Sequence, residues 1–296
     1  MGKVLTIAES INIMSKTIGP AIKARDPKPI QKMAEEELKA GADMLDLNLG
    51  PARKAGDELM EWLVKTVQEV DPNVRLSLDT TNAEAIKAGL KVCNNRALIN
   101  SISAQTQSLK EKMPLAKEFD ADFVALTLSQ EGIPRDANER GVCAVEIMNK
   151  AMELEIPIER MWIDPIVLPI SVDPNQVAAF FEFLPMIPDI APGAHSTCGL
   201  SNISNGTPTN LRPYLNRAAL ALYKYLGLYS AIIDAYDKEL MAICKDEMPW
   251  VDELAKKFWE REEVDESSLS KEEMNYWKSF KVLRGDVLYS HSWLEL

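Results

Sequence analysis

Eight times along this chain a short apolar run gives way to a longer stretch with helical periodicity, and no other feature constrains the fold as strongly. The runs are Val4–Ala8, Met44–Leu49, Val74–Leu78, Ala97–Ile99, Phe123–Leu126, Met161–Ile163, His195–Cys198 and Ser230–Ile233. Their length and aliphatic content suit buried strands. Between them Pro29–Lys39, Glu58–Val70, Ala83–Val92, Ser108–Phe119, Asn138–Glu153, Pro174–Leu184 and Asn210–Leu226 repeat with helical period, and a last helix begins near Asp237. Strands alternating with helices form parallel β/α units, because each crossover helix returns the chain to the same end of the sheet. Eight such units in about 245 residues have the size of an α/β (β/α)8 TIM barrel. A doubly wound sheet is the alternative, but no GxGxxG follows the first run.

In a parallel barrel the functional residues gather at the C-terminal ends of the strands. Those ends carry Glu9 and Asn12, Asp46 and Asn48, Asp79, Asn100, Thr127, Asp164, Asn202 and Asp234. Asp and Asn also serve turns and helix N-caps, which accounts for any one of them. It accounts poorly for a carboxylate or carboxamide on nearly every strand. Such a ring suits a ligand rich in hydrogen-bond donors and acceptors. With no basic residue at these ends, a phosphate ligand is disfavoured.

Composition narrows the class. The 296 residues are 46% hydrophobic and 26% charged, enough to bury a large core and too apolar for disorder. The net charge of −12, with no basic stripe, argues against a nucleic-acid partner. No apolar run approaches the ~18 residues of a membrane span. The opening MGKVLTIAES lacks the apolar core and cleavage site of a signal peptide. Cys93, Cys143, Cys198 and Cys244 form no CxxC and read as reduced thiols, so a cytoplasmic protein is expected. With two histidines, His195 and His291, and no HExxH, no metal site is expected.

The segment 246–296 differs from what precedes it. It holds four of the six tryptophans (Trp250, Trp259, Trp277 and Trp293), with 13 acidic and seven basic residues. Trp250, Leu254 and Phe258 fall on one helical stripe, and Ser270-Lys-Glu-Glu273 reads as a capping box opening a helix that turns Met274 and Trp277 inward. These residues are either a helical appendage packed on the barrel wall or a docking surface for another protein.

The strand ends also carry recognisable segments, in order: ESIN (Glu9–Asn12), LDLNLGP (Leu45–Pro51), LDTTN (Leu78–Asn82), LINS (Leu98–Ser101), IDPIVLP (Ile163–Pro169) and GLSNIS (Gly199–Ser204). Together they resemble the pterin-binding family, which includes dihydropteroate synthase and the methyltetrahydrofolate:corrinoid protein methyltransferases. Asn100, and GLSNIS followed by Arg212-Pro-Tyr-Leu-Asn-Arg217, resemble the methyltransferase branch. The similarity runs from about Lys3 to Lys245, so a barrel domain over residues 1–245 and a C-terminal helical extension over 246–296 are expected. The synthase would need basic groups for its pyrophosphate leaving group and a lysine on a late strand. After GLSNISNG no lysine or arginine appears until Arg212.

The resemblance implies transfer of a methyl group between N5 of methyltetrahydrofolate and the cobalt of a separate corrinoid protein. That partner is either a corrinoid iron–sulfur protein or the corrinoid subunit of a demethylase system. Tetrahydrofolate is then a substrate, no cofactor is bound permanently, and a homodimer is expected. Asp79, Asn100 and Asp164 are placed on the pterin edge, where a carboxylate can accept two N–H bonds at once. Asp46, Asn48, Gly199 and Ser201 line the same pocket. Asn202 is the candidate catalytic group beside N5, unless it only makes a turn. Glu9, Asn12, Arg212 and Asn205 are possible further contacts. Arg212 or Arg217 could meet the folate's glutamate carboxylates, although Arg217 could equally pair with an acid on a neighbouring helix. Asn205 stands where the branch commonly has a glutamine nearby. His195 is expected in the core or at the barrel bottom, and Cys198 in packing. The alternatives are a dihydropteroate synthase-like enzyme and a non-catalytic folate-binding subunit.

Overall fold

The computed structural model describes residues 2–52 and 54–295, and among them eight strands form one parallel sheet. The strands are β1 (Leu5–Ala8), β2 (Met44–Gly50), β3 (Leu76–Thr80), β4 (Leu98–Ser103), β5 (Asp122–Leu126), β6 (Met161–Asp164), β7 (His195–Ser196) and β8 (Ser230–Ile233). Their order is β7-β6-β5-β4-β3-β2-β1-β8, each beside its sequence neighbour. The sheet closes between β7 and β8 through a parallel bridge of Gly199 with Ile232, where the Ile232 N–H donates to the Cys198 carbonyl at 2.8 Å. This is the expected (β/α)8 barrel.

The helices follow the same alternation. They are α1 (Gly19–Ala24), α2 (Pro27–Ala40), α3 (Gly56–Gln68), α4 (Ala83–Val92), α5 (Thr106–Glu118), α6 (Ala137–Glu153), α7 (Pro174–Phe183), α8 (Ile187–Ile190), α9 (Arg212–Tyr225), α10 (Lys238–Cys244), α11 (Pro249–Trp259) and α12 (Lys271–Arg284). Their starts are written in the chain. Asp26, Asn82, Asp136, Asp173 and Asp237 each cap a helix by accepting backbone N–H bonds. Gly41 ends α2 in the left-handed region at φ 91°, which a side chain would strain.

The period of two along each strand sorts the barrel interior into layers. Ile7, Met44, Leu98, Val124 and Trp162 form an apolar plug. Two residues further along the same strands stand Glu9, Asp46, Asn100 and Asp164, so the same alternation that fills the plug aims the polar residues at the mouth. The intervening residues, such as Leu45, Leu47 and Leu49, pack outward against the helices. Below the plug, His195 stacks on Tyr229 with ring centroids 3.9 Å apart and meets Trp162 edge-on, the barrel-bottom place expected for it.

The elements after residue 245 pack on the barrel wall. Helices α11 and α12 lie on α9, and α12 also touches α7. Val251, Leu254, Ala255 and Phe258 are buried, so the apolar face of α11 is turned slightly from the expected stripe and Trp250 is only half-buried. The Ser270 capping box is present, Trp277 and Trp293 are buried, and Met274 is half-buried. No helix among the described residues is long and apolar enough to cross a membrane.

Candidate functional site

The C-terminal mouth of the barrel holds a cavity of about 1030 Å³. Its floor and near wall are Asp46 and Asn48 from β2, Asp79 from β3, Asn100 from β4 and Asp164 from β6. Glu9 and Asn12 follow β1, Gly199, Ser201, Asn202 and Asn205 follow β7, and Asp234 follows β8. Arg212 enters from the first turn of α9. The twelve residues placed in or near the pterin pocket from the sequence therefore line one cavity. Thr127 does not: it is buried, and its hydroxyl donates to the Asp164 carbonyl at 3.0 Å. Arg217 also lies elsewhere, with its guanidinium paired to Asp237 and Glu239.

The structure separates the cap reading from the ligand reading residue by residue. Asn12, Asn48, Asp164 and Asp234 each accept a backbone N–H from two residues on, closing local turns. Asp46, Asp79 and Asn100 close no turn. Their partners are one another and their neighbours. Asp46 accepts from the Ser77 hydroxyl at 2.6 Å and from the Asn100 amide at 3.2 Å, while the Asn48 amide donates to Asp79. Strand register sets this contact, because Asn48 pairs with Asp79 and Asp79 with Asn100. Asn202 makes no such turn either. Its side-chain oxygen accepts from the Asn205 amide at 3.2 Å, and the residue is exposed at the mouth. Gly199 leaves it room, since a Cβ there would sit 3.0 Å from the Asn202 amide nitrogen.

Arg212 fastens the loop after β7. It donates to the Ser201 carbonyl at 3.1 Å, the Ser204 hydroxyl at 3.0 Å and the Asn205 side chain at 3.2 Å. The Ser201 hydroxyl in turn donates to Glu9 at 2.6 Å, tying the first strand to the seventh. Although no basic residue stands at a strand end, among the described residues this cation reaches the mouth from a helix.

Burial raises the proton affinity of four acids of the mouth. It raises Glu9 to about 7, with Asp234 and Asp46 adding repulsion against the opposing Ser201 hydrogen bond. It raises Asp46 and Asp164 to about 6, and pushes Asp79 well above the usual carboxylate range beside the Asp46 charge. A ligand that presents N–H groups here favours the ionised acids and drives those protons off.

Four contributors escaped the sequence reading. Ser77 supports Asp46 from within β3. Lys112 reaches from α5 to donate to the Ser101 carbonyl at 2.8 Å. Arg140 is fully buried on α6 and donates to the Pro165 carbonyl at 2.7 Å and to Gln176 at 2.6 Å, fastening the loop that carries Asp164. Glu37 on α2 is fully buried and accepts the Ser10 N–H at 3.0 Å. Lys112 and Arg140 occupy inward positions of their helices, beside Leu109 and Met113 and beside Ala137 and Ala144. A charge on an apolar stripe is the signal that could have exposed them.

Known proteins give this mouth a context. The chain is similar to a methylcorrinoid:tetrahydrofolate methyltransferase of Eubacterium limosum, 28% identical over 258 residues that cover 86% of this chain and 94% of the relative. It is also 28% identical over 247 residues to the methionine synthase of Mycobacterium tuberculosis, covering 78% of this chain but 20% of that protein. Among solved structures, dihydropteroate synthase of Xanthomonas albilineans in complex with 7,8-dihydropteroate matches with a TM-score of 0.61 at 17% identity, over 84% of this chain and 94% of the other. That of Yersinia pestis with a pterine-sulfa conjugate matches with a TM-score of 0.60 at 14% identity and the same coverage. These two share the fold. The sequence matches the pterin binding enzyme family from residue 12 to residue 230, a span that carries Asp46, Asp79, Asn100, Asp164 and Asn202, and the chain belongs to that family.

Proposed function

We propose that this protein moves a methyl group between N5 of methyltetrahydrofolate and the cobalt of a separate corrinoid protein. The observation that carries the reading is the arrangement of Asp79, Asn100 and Asp164, three hydrogen-bonding side chains from three strands, around one mouth with Asn202 on its rim. The similarity to the Eubacterium limosum methyltransferase over nearly its whole length supports methyl transfer between a folate and a corrinoid.

In this reading the flat pterin lies in the cavity with its amino and ring N–H groups toward Asp79 and Asp164. The Asn100 amide donates or accepts between them. Asp46 and Asn48 hold Asn100 and Asp79 in position through the hydrogen bonds described above. Gly199 and Ser201 shape the opposite wall, with Glu9, Asn12, Asn205 and Arg212 at the rim. The methyl leaves by in-line displacement. The Co(I) electron pair forms the new Co–C bond as the C–N5 bond breaks, the bonding electrons return to N5, and N5 takes up a proton. Asn202 hydrogen-bonds to N5 more strongly as charge develops there, which lowers the barrier rather than the ground state. The reverse transfer crosses the same transition state.

The mouth suits a protein-borne acceptor because it is open and exposed Met14 lies on its edge. The partner in this reading is either the corrinoid subunit of a demethylase system or a corrinoid iron–sulfur protein. Calorimetric titration tests the pocket. Micromolar binding of methyltetrahydrofolate is expected, with none of a pterin pyrophosphate. Binding of the pyrophosphate alone would support a synthase, and folate binding without methyl transfer to any corrinoid would support a non-catalytic subunit.

A further inference from the structure

Beneath the mouth, on the helix side of the sheet, lies a buried amine that the methyl-transfer reading does not use. Lys112 stands on α5 between Leu109 and Met113, is 7% exposed, and donates to the Ser101 carbonyl at 2.8 Å. Ser101 follows Asn100 directly, and Asn100 pairs across the sheet with Asp79. A lysine rarely occupies an apolar helix face without a specific task, since taking an ammonium out of water is costly. Among the described residues its ammonium donates one hydrogen bond, to a neutral carbonyl, which is little compensation for a full charge. The acids of the mouth offer the rest. Burial raises Asp79 above the usual carboxylate range, with the Asp46 charge adding to the rise, and burial lowers Lys112; against this Asp79 and Lys112 each favour the other's charged form, and Glu111 on the same helix favours the ammonium too.

We propose that Lys112 is a positioning residue for the pterin edge: its ammonium fixes the end of β4 and provides the positive charge that lets Asp79 act as an ionised acceptor. This rests on the folate reading of the pocket. The carboxylate needs to be charged to accept two N–H bonds strongly, yet it sits beside Asp46 in a buried layer. A cation on the far side of the strand supplies that charge balance without occupying the cavity, where it would meet the ligand's own donors.

The test is methyltetrahydrofolate affinity as a function of pH for the wild type, Lys112→Gln, Lys112→Met and Lys112→Arg, with thermal stability measured on each. Loss of the positive charge makes Asp79 harder to ionise, so the rise of affinity with pH moves to higher pH. A shift of about one pH unit corresponds to roughly tenfold weaker binding on the rising limb. Lys112→Gln and Lys112→Met are expected to show this shift, and Lys112→Arg to restore the wild-type profile. Wild-type affinity in Lys112→Gln would overturn the proposal, and so would a pH-independent loss that tracks melting temperature. Absence of folate binding by the wild type would instead overturn the folate reading itself.

Discussion

Asn202 and Asp164 line one cavity but face different demands, and substitution separates them. Asn202 is exposed at the rim, where the methyl-transfer proposal puts the N5 that changes charge during reaction. Asn202→Ala is therefore expected to slow methyl transfer by about 10²-fold or more while folate affinity changes less, the usual size for losing one transition-state donor. An effect confined to affinity in single-turnover kinetics would contradict that role. Asp164 is buried and holds the Ile166 N–H at 2.7 Å. Ile166 has φ 66°, an unfavourable region for a β-branched residue, so the turn that Asp164 closes is under backbone strain. Asp164→Asn removes the charge and keeps the turn, and should weaken folate binding by ~1–3 kcal/mol. Titration calorimetry checks it. The same acid makes binding pH-dependent. In the free site Asp164 is raised to about 6 by burial, and the ligand's N–H groups favour its ionised form. Binding should therefore release protons at and below about pH 6, and affinity should rise with pH through that range. Calorimetry in two buffers of different ionisation enthalpy counts the protons.

At the scale of elements, α2 carries a cost that pH exposes. Glu37 is fully buried, one carboxylate oxygen has no partner, and burial raises the group from 4.5 to about 7. The native state thus holds a proton that the unfolded chain gives up, and stability falls as pH rises from about 4.5 toward 7. Glu37→Gln does not titrate, so wild type should lose ~1–3 kcal/mol relative to it between pH 5 and pH 8. Denaturant melts at the two pH values measure this. Which elements the sequence revealed follows the same physics. Strand existence was legible, because buried parallel strands are short apolar runs and nothing else in this chain resembles them. Boundaries were less so. The fourth strand runs on to Ser103 and the third begins at Leu76 and ends at Thr80, because their ends are polar residues held by register rather than by hydrophobicity. Helix α1 was missed, being six residues long with no side-chain cap, and α2 starts two residues before the expected Pro29. The mouth residues were legible as strand ends. Their supports Lys112, Arg140 and Glu37 were not, because each sits on a helix face that pattern alone assigns to the core.

Over the whole molecule, a buried lysine fastens the C-terminal helices to the barrel. Lys224 on α9 is 4% exposed and donates to the Ile243 carbonyl and to Asp252 of α11 at 2.8 Å each, with Asp246 at 2.5 Å. The aromatic layer around it, where Phe181 meets Trp259 at 5.1 Å, continues the barrel core into the extension. Lys224→Met would leave two carboxylates without their cation, at a cost of roughly 3 kcal/mol. Melting temperature should fall, and proteolysis should clip the chain near residues 245–249 faster than in the wild type, while the folded fraction still binds folate. An unchanged cleavage rate would show that apolar packing alone holds the extension.

The central claim, methyl transfer between folate and cobalt, is tested most directly by following the Co(I) absorbance of a reduced corrinoid mixed with methyltetrahydrofolate and this protein. The account predicts loss of the Co(I) band with appearance of methylcobalt and one tetrahydrofolate per cobalt, only when the protein and the methylated folate are both present. A Co(I) band that persists with every corrinoid protein and free corrinoid offered, under conditions where the protein binds the folate, would contradict it.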